Sequence, residues 1–102
     1  MHLVEIFLPL SDNAAESFPP DLFAAVHAEL TERFGGLTAF SRAPAVGLWK
    51  EDDGGATRDD IVVLEVMAED LDRGWWNAYR RRLESRFRQD VIVIRASTVE
   101  MI

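Results

Sequence analysis

Two apolar stripes at helical spacing, four runs of extended-chain character and a glycine turn midway along the chain predict an α+β domain in the order βαββαβ. The turn, Asp52-Asp53-Gly54-Gly55, separates halves that read alike, strand–helix–strand before it and strand–helix–strand after it. Two right-handed split βαβ units of this kind give the ferredoxin-like arrangement. That arrangement is a four-stranded antiparallel sheet in the order 4-1-3-2, with both helices on one face and a long kinked hairpin between the second and third strands. With 102 residues, 48% of them hydrophobic, positions 1–102 read as one domain whose thin core self-association would help to cover.

The first strand is expected over Leu3–Leu8, ended by Pro9, with a polar connection through Ser11-Asp12-Asn13 and Ser17. Pro19-Pro20-Asp21 is a helix start, because proline fits the first turn and an early carboxylate suits the positive end of the dipole. Phe23, Val26, Leu30 and Phe34 then recur at three- and four-residue steps and draw one apolar stripe. Gly35-Gly36 stops this helix. Leu37–Ser41 reads as a short strand, Ser41–Pro44 as a bend that marks a sheet edge, and Ala45–Glu51 as resumed extended chain. Beyond the turn, Arg58–Met67 returns, and its Ile61–Val66 run reads as a central strand. Glu69-Asp70-Leu71-Asp72 places acids in the first turn of a second helix. Trp76, Tyr79, Leu83 and Phe87 form its apolar stripe, with Trp75 on the flank. Gln89-Asp90 closes it, and Val91–Ser97 is the last strand.

Alternation assigns the sheet faces. Val4, Ile6, Leu8, Val62, Leu64, Val66, Ile92 and Ile94 should face the helices. Leu3, Glu5, Phe7, Ile61, Val63, Glu65, Met67, Val91, Val93 and Arg95 should face away, and a patch that apolar marks an interface or a ligand groove. Within it Glu5, Glu65 and Arg95 fall toward one end of the sheet. Two carboxylates and a guanidinium there could bind a polar ligand, or one carboxylate could serve as a base; equally, they could form a cross-strand salt bridge. Trp49, on an edge strand near Gly47, is a candidate pocket wall or a cap on a partner's open face, and Phe7 on the open face is a further ligand or interface candidate.

Several functional classes are excluded. Without cysteine there are no disulfides, thiolate metal sites or cysteine nucleophiles, and the composition suits a reducing, cytoplasmic setting. The amino-terminal residues lack a basic leader pattern, and no apolar run approaches a membrane span. A net charge of −7 argues against nucleic acid, although six arginines lie between Arg73 and Arg88 with Glu84 as the one acid between Arg73 and Arg88 that stands among them. RNA-recognition modules share this topology, but they need exposed aromatics where this chain has Ile61-Val62-Val63-Leu64. Arg80, Arg81 and Arg82 are expected to form a solvated face that pairs with Glu29, Glu32 or another subunit's acids. His2 and His27 have no second ligand at useful spacing, so neither a metal nor any other cofactor is expected. No phosphate loop or serine elbow is present, and no catalytic residue can be named.

Arg33-Phe34-Gly35-Gly36-Leu37-Thr38, Gly47-Leu48-Trp49, and Tyr79 followed by Arg86-Phe87-Arg88-Gln89-Asp90-Val91 together resemble a small uncharacterised bacterial domain family. Its members carry a Gly-Leu-Thr strand, a Gly-x-Trp hairpin strand and a Tyr…Phe-x-Gln-[Asp/Glu] helix end. The resemblance covers about two-thirds of the chain, the Ser41–Pro44 kink departs from it, and it implies the fold without supplying catalytic residues. Two functions remain open. One is a homodimeric module that binds a small molecule or partner protein through its open sheet face and hairpin. The other is a cofactor-independent enzyme similar to the dimeric α+β-barrel monooxygenases and isomerases, with a cavity on that face.

Overall fold

The computed structural model describes the backbone of residues 1–14, 16–35, 38–50 and 56–102, and the side chains of these residues except 38–50 and 56–60. The elements are β1 (His2–Pro9), α1 (Pro20–Phe34), β2 (Thr38–Lys50), β3 (Ala56–Ala68), α2 (Arg73–Arg86) and β4 (Ile94–Thr98). The α+β class and the element order follow from the two periodicities in the sequence. The expected hairpin turn at Asp52–Gly55 lies outside the described residues.

The expected sheet, ferredoxin-like with four strands in the order 4-1-3-2, is corrected in its build: the strand line is that order, but only three of the strands lie flush. The sheet whose strands all pair with or flank β1 is three-stranded and antiparallel, with β1 between β3 and β4. Counted along the chain, its order is second, first, third. β2 bonds to the far side of β3, giving the line β2-β3-β1-β4, but it does not run flush with the rest. Thr38–Ser41 pairs with Val62–Glu65; after a register shift, Val46–Lys50 pairs with Ala56–Asp60, beyond the last β1 partner, Ile61. The cause is length: β2 and β3 have 13 residues each, whereas β1 has 8 and β4 has 5.

Val4, Ile6, Leu8, Leu64 and Val66 pack as alternation requires against Val26 and Leu30 of α1 and Trp76, Tyr79 and Leu83 of α2. Phe87, just past α2, is fully buried and touches Phe18 edge-on with ring centres 5.2 Å apart. Phe34 stacks on Trp76 at 5.3 Å, so the tryptophan of the second stripe is core. Gly35 ends α1 in the left-handed region (φ 75°), where its N–H donates to the Thr31 carbonyl at 2.8 Å.

Two boundaries differ from expectation. The acids before α2 do not occupy its first turn; Asp72 is the N-cap, its Oδ1 accepting from the Trp75 N–H at 3.0 Å. β4 begins at Ile94, not Val91. The Ile92 N–H is taken by the Glu84 carboxylate at 3.0 Å, which draws Ile92 into the core and away from a continuous ladder. Val93 still accepts one bond from the Phe7 N–H at 3.0 Å.

The helices are tied across the core by Glu29. Arg86 holds it bidentately at 2.7 and 2.9 Å, the Tyr79 hydroxyl donates at 2.9 Å, and Arg82 approaches at 3.5 Å. This answers the expectation for the basic helix only in part: Arg82 finds Glu29, but the strong partner is Arg86. The Arg86 hydrogen bond holds the Glu29 carboxyl below its ordinary value near 4.5, with burial opposing. Burial, and then donation to Glu29, push the Tyr79 hydroxyl well above its ordinary range.

Because the Glu29 carboxyl is held low in the fold, its contribution is complete above its unfolded value and is lost as pH falls through the folded one. Urea unfolding from pH 7 to pH 3 should show stability falling below about pH 4.5. Glu29→Gln should lose about 1–2 kcal/mol at pH 7, because the carboxylate is partly exposed, and should flatten the acid slope. An unchanged slope would mean that the tie contributes nothing.

Candidate functional site

The open face of the three-stranded sheet is set by register. Glu5 lies opposite Glu65 on one side and opposite Arg95 on the other, so the three residues singled out from the sequence form one cross-strand row. Two carboxylates side by side repel, and Arg95 relieves this by donating from Nε to Glu5 Oε1 at 2.9 Å. Its guanidinium also lies 4.9 Å from the centre of the Phe7 ring, so it spans Glu5 and Phe7 across the face.

Burial on this face is uneven. Glu5 is only 9% exposed and Val63, which is not part of the helix-side core, is fully buried. Phe7 and Glu65 are half-buried. Toward the rim, Met67, Val91 and Val93 are exposed, Val91 by 68%. The structure therefore brings Glu5, Phe7, Glu65 and Arg95 together. The Trp49 backbone pairs with Thr57 in the ribbon beyond this face, and the placement of its side chain lies outside the described residues.

Chemically, the row is a salt bridge on a mostly apolar surface with a second carboxylate, Glu65, beside it. Among the described residues Glu65 has no cationic partner within 4.0 Å, and no group of three potential metal ligands is found. The Arg95 side chain is 61% exposed while its Nε serves Glu5.

Sequence reasoning missed a second concavity, on the helix side. It is a groove of about 280 Å³ between the start of α2 and β4, lined by Arg73, Trp76, Asn77 and Arg80 of the helix, Leu71 just before it, and Ile94, Arg95 and Ala96 of the strand. The four helix residues are spaced i, i+3, i+4, i+7, the signature of one helix face. That spacing was visible in the sequence, but Trp76 had already been assigned to the core stripe and the arginines to solvent.

Arg95→Ala leaves a nearly buried carboxylate without its partner and should destabilise the fold by about 1–3 kcal/mol. Replacing both partners, as Glu5→Leu with Arg95→Leu, should cost less than the sum of the single changes. Urea midpoints of the four proteins give the coupling, and strict additivity would show that the contact carries no energy.

No family model matches this chain, and no curated protein matches it. Solved structures do. A phage SAM lyase in complex with S-methyl-5'-thioadenosine superposes with a TM-score of 0.67 at 15% identity, over 94% of this chain and 79% of that one. The same enzyme's apo state gives 0.60 over 94% and 78%. A CutA1 point mutant from Pyrococcus horikoshii OT3 gives 0.58 at 13% identity, over 100% and 86%. At such identities the likeness shows the fold alone: this chain is similar to other small α+β proteins.

Proposed function

We propose that this chain is a self-associating binding module, a homodimer whose contact surface is the open sheet face extended by the β2–β3 ribbon. The observation that carries the reading is the burial pattern of that face. Glu5 and Val63 are already shielded, while Met67, Val91 and Val93 stand exposed around them on a surface the helices do not cover. Size supports including the ribbon. Three strands about 4.8 Å apart, taken over the eight residues of β1, present roughly 14 by 26 Å, well under the ~800 Å² per partner that a stable pair buries. The protruding halves of β2 and β3 supply further area. A small molecule or partner protein recognised by this module would meet Arg95 and Glu65 at the rim. A cytoplasmic setting agrees with the absence of cysteine, and no helix among the described residues is long and apolar enough to cross a membrane. The resemblance to the uncharacterised bacterial family fits a module of this kind.

Sedimentation of the purified chain should show a dimer at micromolar concentration, and Val93→Asp or Met67→Lys should shift it to monomer with the fold intact by circular dichroism. A wild-type monomer at these concentrations removes the proposal.

A second reading, catalysis, draws on one observation: a similar solved chain is a SAM lyase seen with S-methyl-5'-thioadenosine. The check is direct. Incubation with SAM should release S-methyl-5'-thioadenosine above the buffer rate, read by chromatography, if this chain shares that chemistry. No release sets the reading aside and leaves the module.

A further inference from the structure

We infer that the groove between α2 and β4 is a binding site for a small organic oxyanion, a phosphate ester or a dicarboxylate with an apolar body. It lies on the helix side and shares only Arg95, which Glu5 already holds, with the open sheet face, so the proposal is tested at Arg73 and Arg80 independently of self-association.

The first observation is the distribution of charge. The chain carries −7 overall, yet none of the groove's lining residues is acidic, and two guanidiniums, Arg73 and Arg80, are set one above the other on the same helix face. Most arginines around this core have a carboxylate. Arg82 and Arg86 meet Glu29, Arg88 meets Asp12, Arg33 meets Asp72, and Arg95 meets Glu5. Among the described residues Arg73 and Arg80 meet none. The acid adjacent to Arg73, Asp72, is engaged in capping Trp75 and in reaching Arg33 at 3.8 Å.

The second observation is position. Arg73 is the first residue of α2, where a cation opposes the positive end of the helix dipole. Among the described residues that arginine has no carboxylate partner to offset this, and two guanidiniums flanking an amide suit an oxyanion, which guanidinium donors grip in a fork. Asn77, between them on the helix face, adds a neutral donor.

The third observation is the cavity itself. β4 is an edge strand, and of its helix-side residues Ile94 is half-buried against the core whereas Ala96 and Thr98 are exposed. Ala96 is too small to close the gap. The result is a recess of about 280 Å³, near the lower end of the roughly 300–1,000 Å³ of small-molecule sites, with Ile94 and the edge of Trp76 as an apolar floor beneath the cations. That size admits a compact metabolite and not a macromolecular segment.

The test titrates the full chain, at low salt, with inorganic phosphate, phenyl phosphate and succinate, followed by calorimetry and by nuclear magnetic resonance of the Asn77 side-chain amide and the Trp76 indole. Saturable shifts are expected, with phenyl phosphate tighter than inorganic phosphate because its ring reaches the floor; comparison with succinate decides between the phosphate and carboxylate classes. Arg73→Gln and Arg80→Gln, at an exposed and a partly exposed position of α2, should each weaken binding about tenfold or more. Arg81→Gln, outside the groove, should leave it unchanged. Absence of saturation by about 10 mM of all three probes, a regime weaker than ordinary specific recognition, overturns the proposal. So does an equal loss on Arg81→Gln, which would mean diffuse charge attraction. If the Arg73 and Arg80 variants alter sedimentation and not probe binding, the arginines serve a protein contact and the small-molecule site is refuted.

Discussion

The constraint on which the rest of the structure depends is the alternation of β1. This strand is bonded to β3 along its whole length and to β4 over His2–Ile6, so its register is pinned from both sides. A slip by one residue would exchange its faces, putting Glu5 into the helix-side core and Val4, Ile6 and Leu8 outside. Once Val4, Ile6 and Leu8 are buried under the helices, Glu5 must lie on the open face. There it meets Glu65 from one neighbour and Arg95 from the other, and the guanidinium settles toward it and over Phe7. The polar row on the open face is thus a consequence of packing on the opposite side.

The helix layer covers β4 only at its start: Ile94 packs against the core, whereas Ala96 and Thr98 are exposed. Glu29 ties α2 to α1 through Arg86 and Tyr79. Leaning further over β4 would bring little hydrophobic gain, because beyond Ile94 the strand offers Ala96 and Thr98. Those two residues fix the edge of the covered region, and the gap beyond it is the groove.

Much of this was legible in the sequence because it depends on local period. The spacing of Val26, Leu30, Trp76, Tyr79 and Leu83 marks both helices, and alternation along β1 and β3 assigns the core and the open face, including the meeting of Glu5 with Arg95. What escaped depends on contacts between distant or irregular pieces. Val91–Val93 alternates like a strand, yet the Glu84 carboxylate captures the Ile92 N–H, a bond from side chain to backbone that no propensity encodes. Asp70 and Asp72 look alike before α2, and only the geometry of the Trp75 N–H makes Asp72 the cap. A long kinked β2–β3 hairpin was expected, but the point at which it leaves the three flush strands was not legible: after the register shift Val46–Lys50 pairs with Ala56–Asp60, beyond the end of β1. The Arg73–Arg80 face could be seen but not interpreted, since its meaning depends on Ala96, which is sixteen residues after Arg80 in the chain and adjacent to the groove in space.

β4 is where these strands of argument converge. It has five residues, one bonded neighbour among the described strands, and side chains that are almost all exposed. Its register nevertheless determines two surfaces at once. Arg95 projects to the open face and answers Glu5, while Ile94 and Ala96, on either side of it, floor the groove beneath Arg73 and Arg80. A short edge strand held from one side is the part of a sheet that opens most readily, because few buried contacts resist the loss of its ladder. Here the Glu5–Arg95 pair counters that tendency: it crosses the only ladder β4 makes among the described strands and anchors its second residue to β1, the strand bonded on both sides. The salt bridge therefore has a role that its surface exposure would not suggest, since it keeps the floor of the groove in register as well as satisfying a shielded carboxylate.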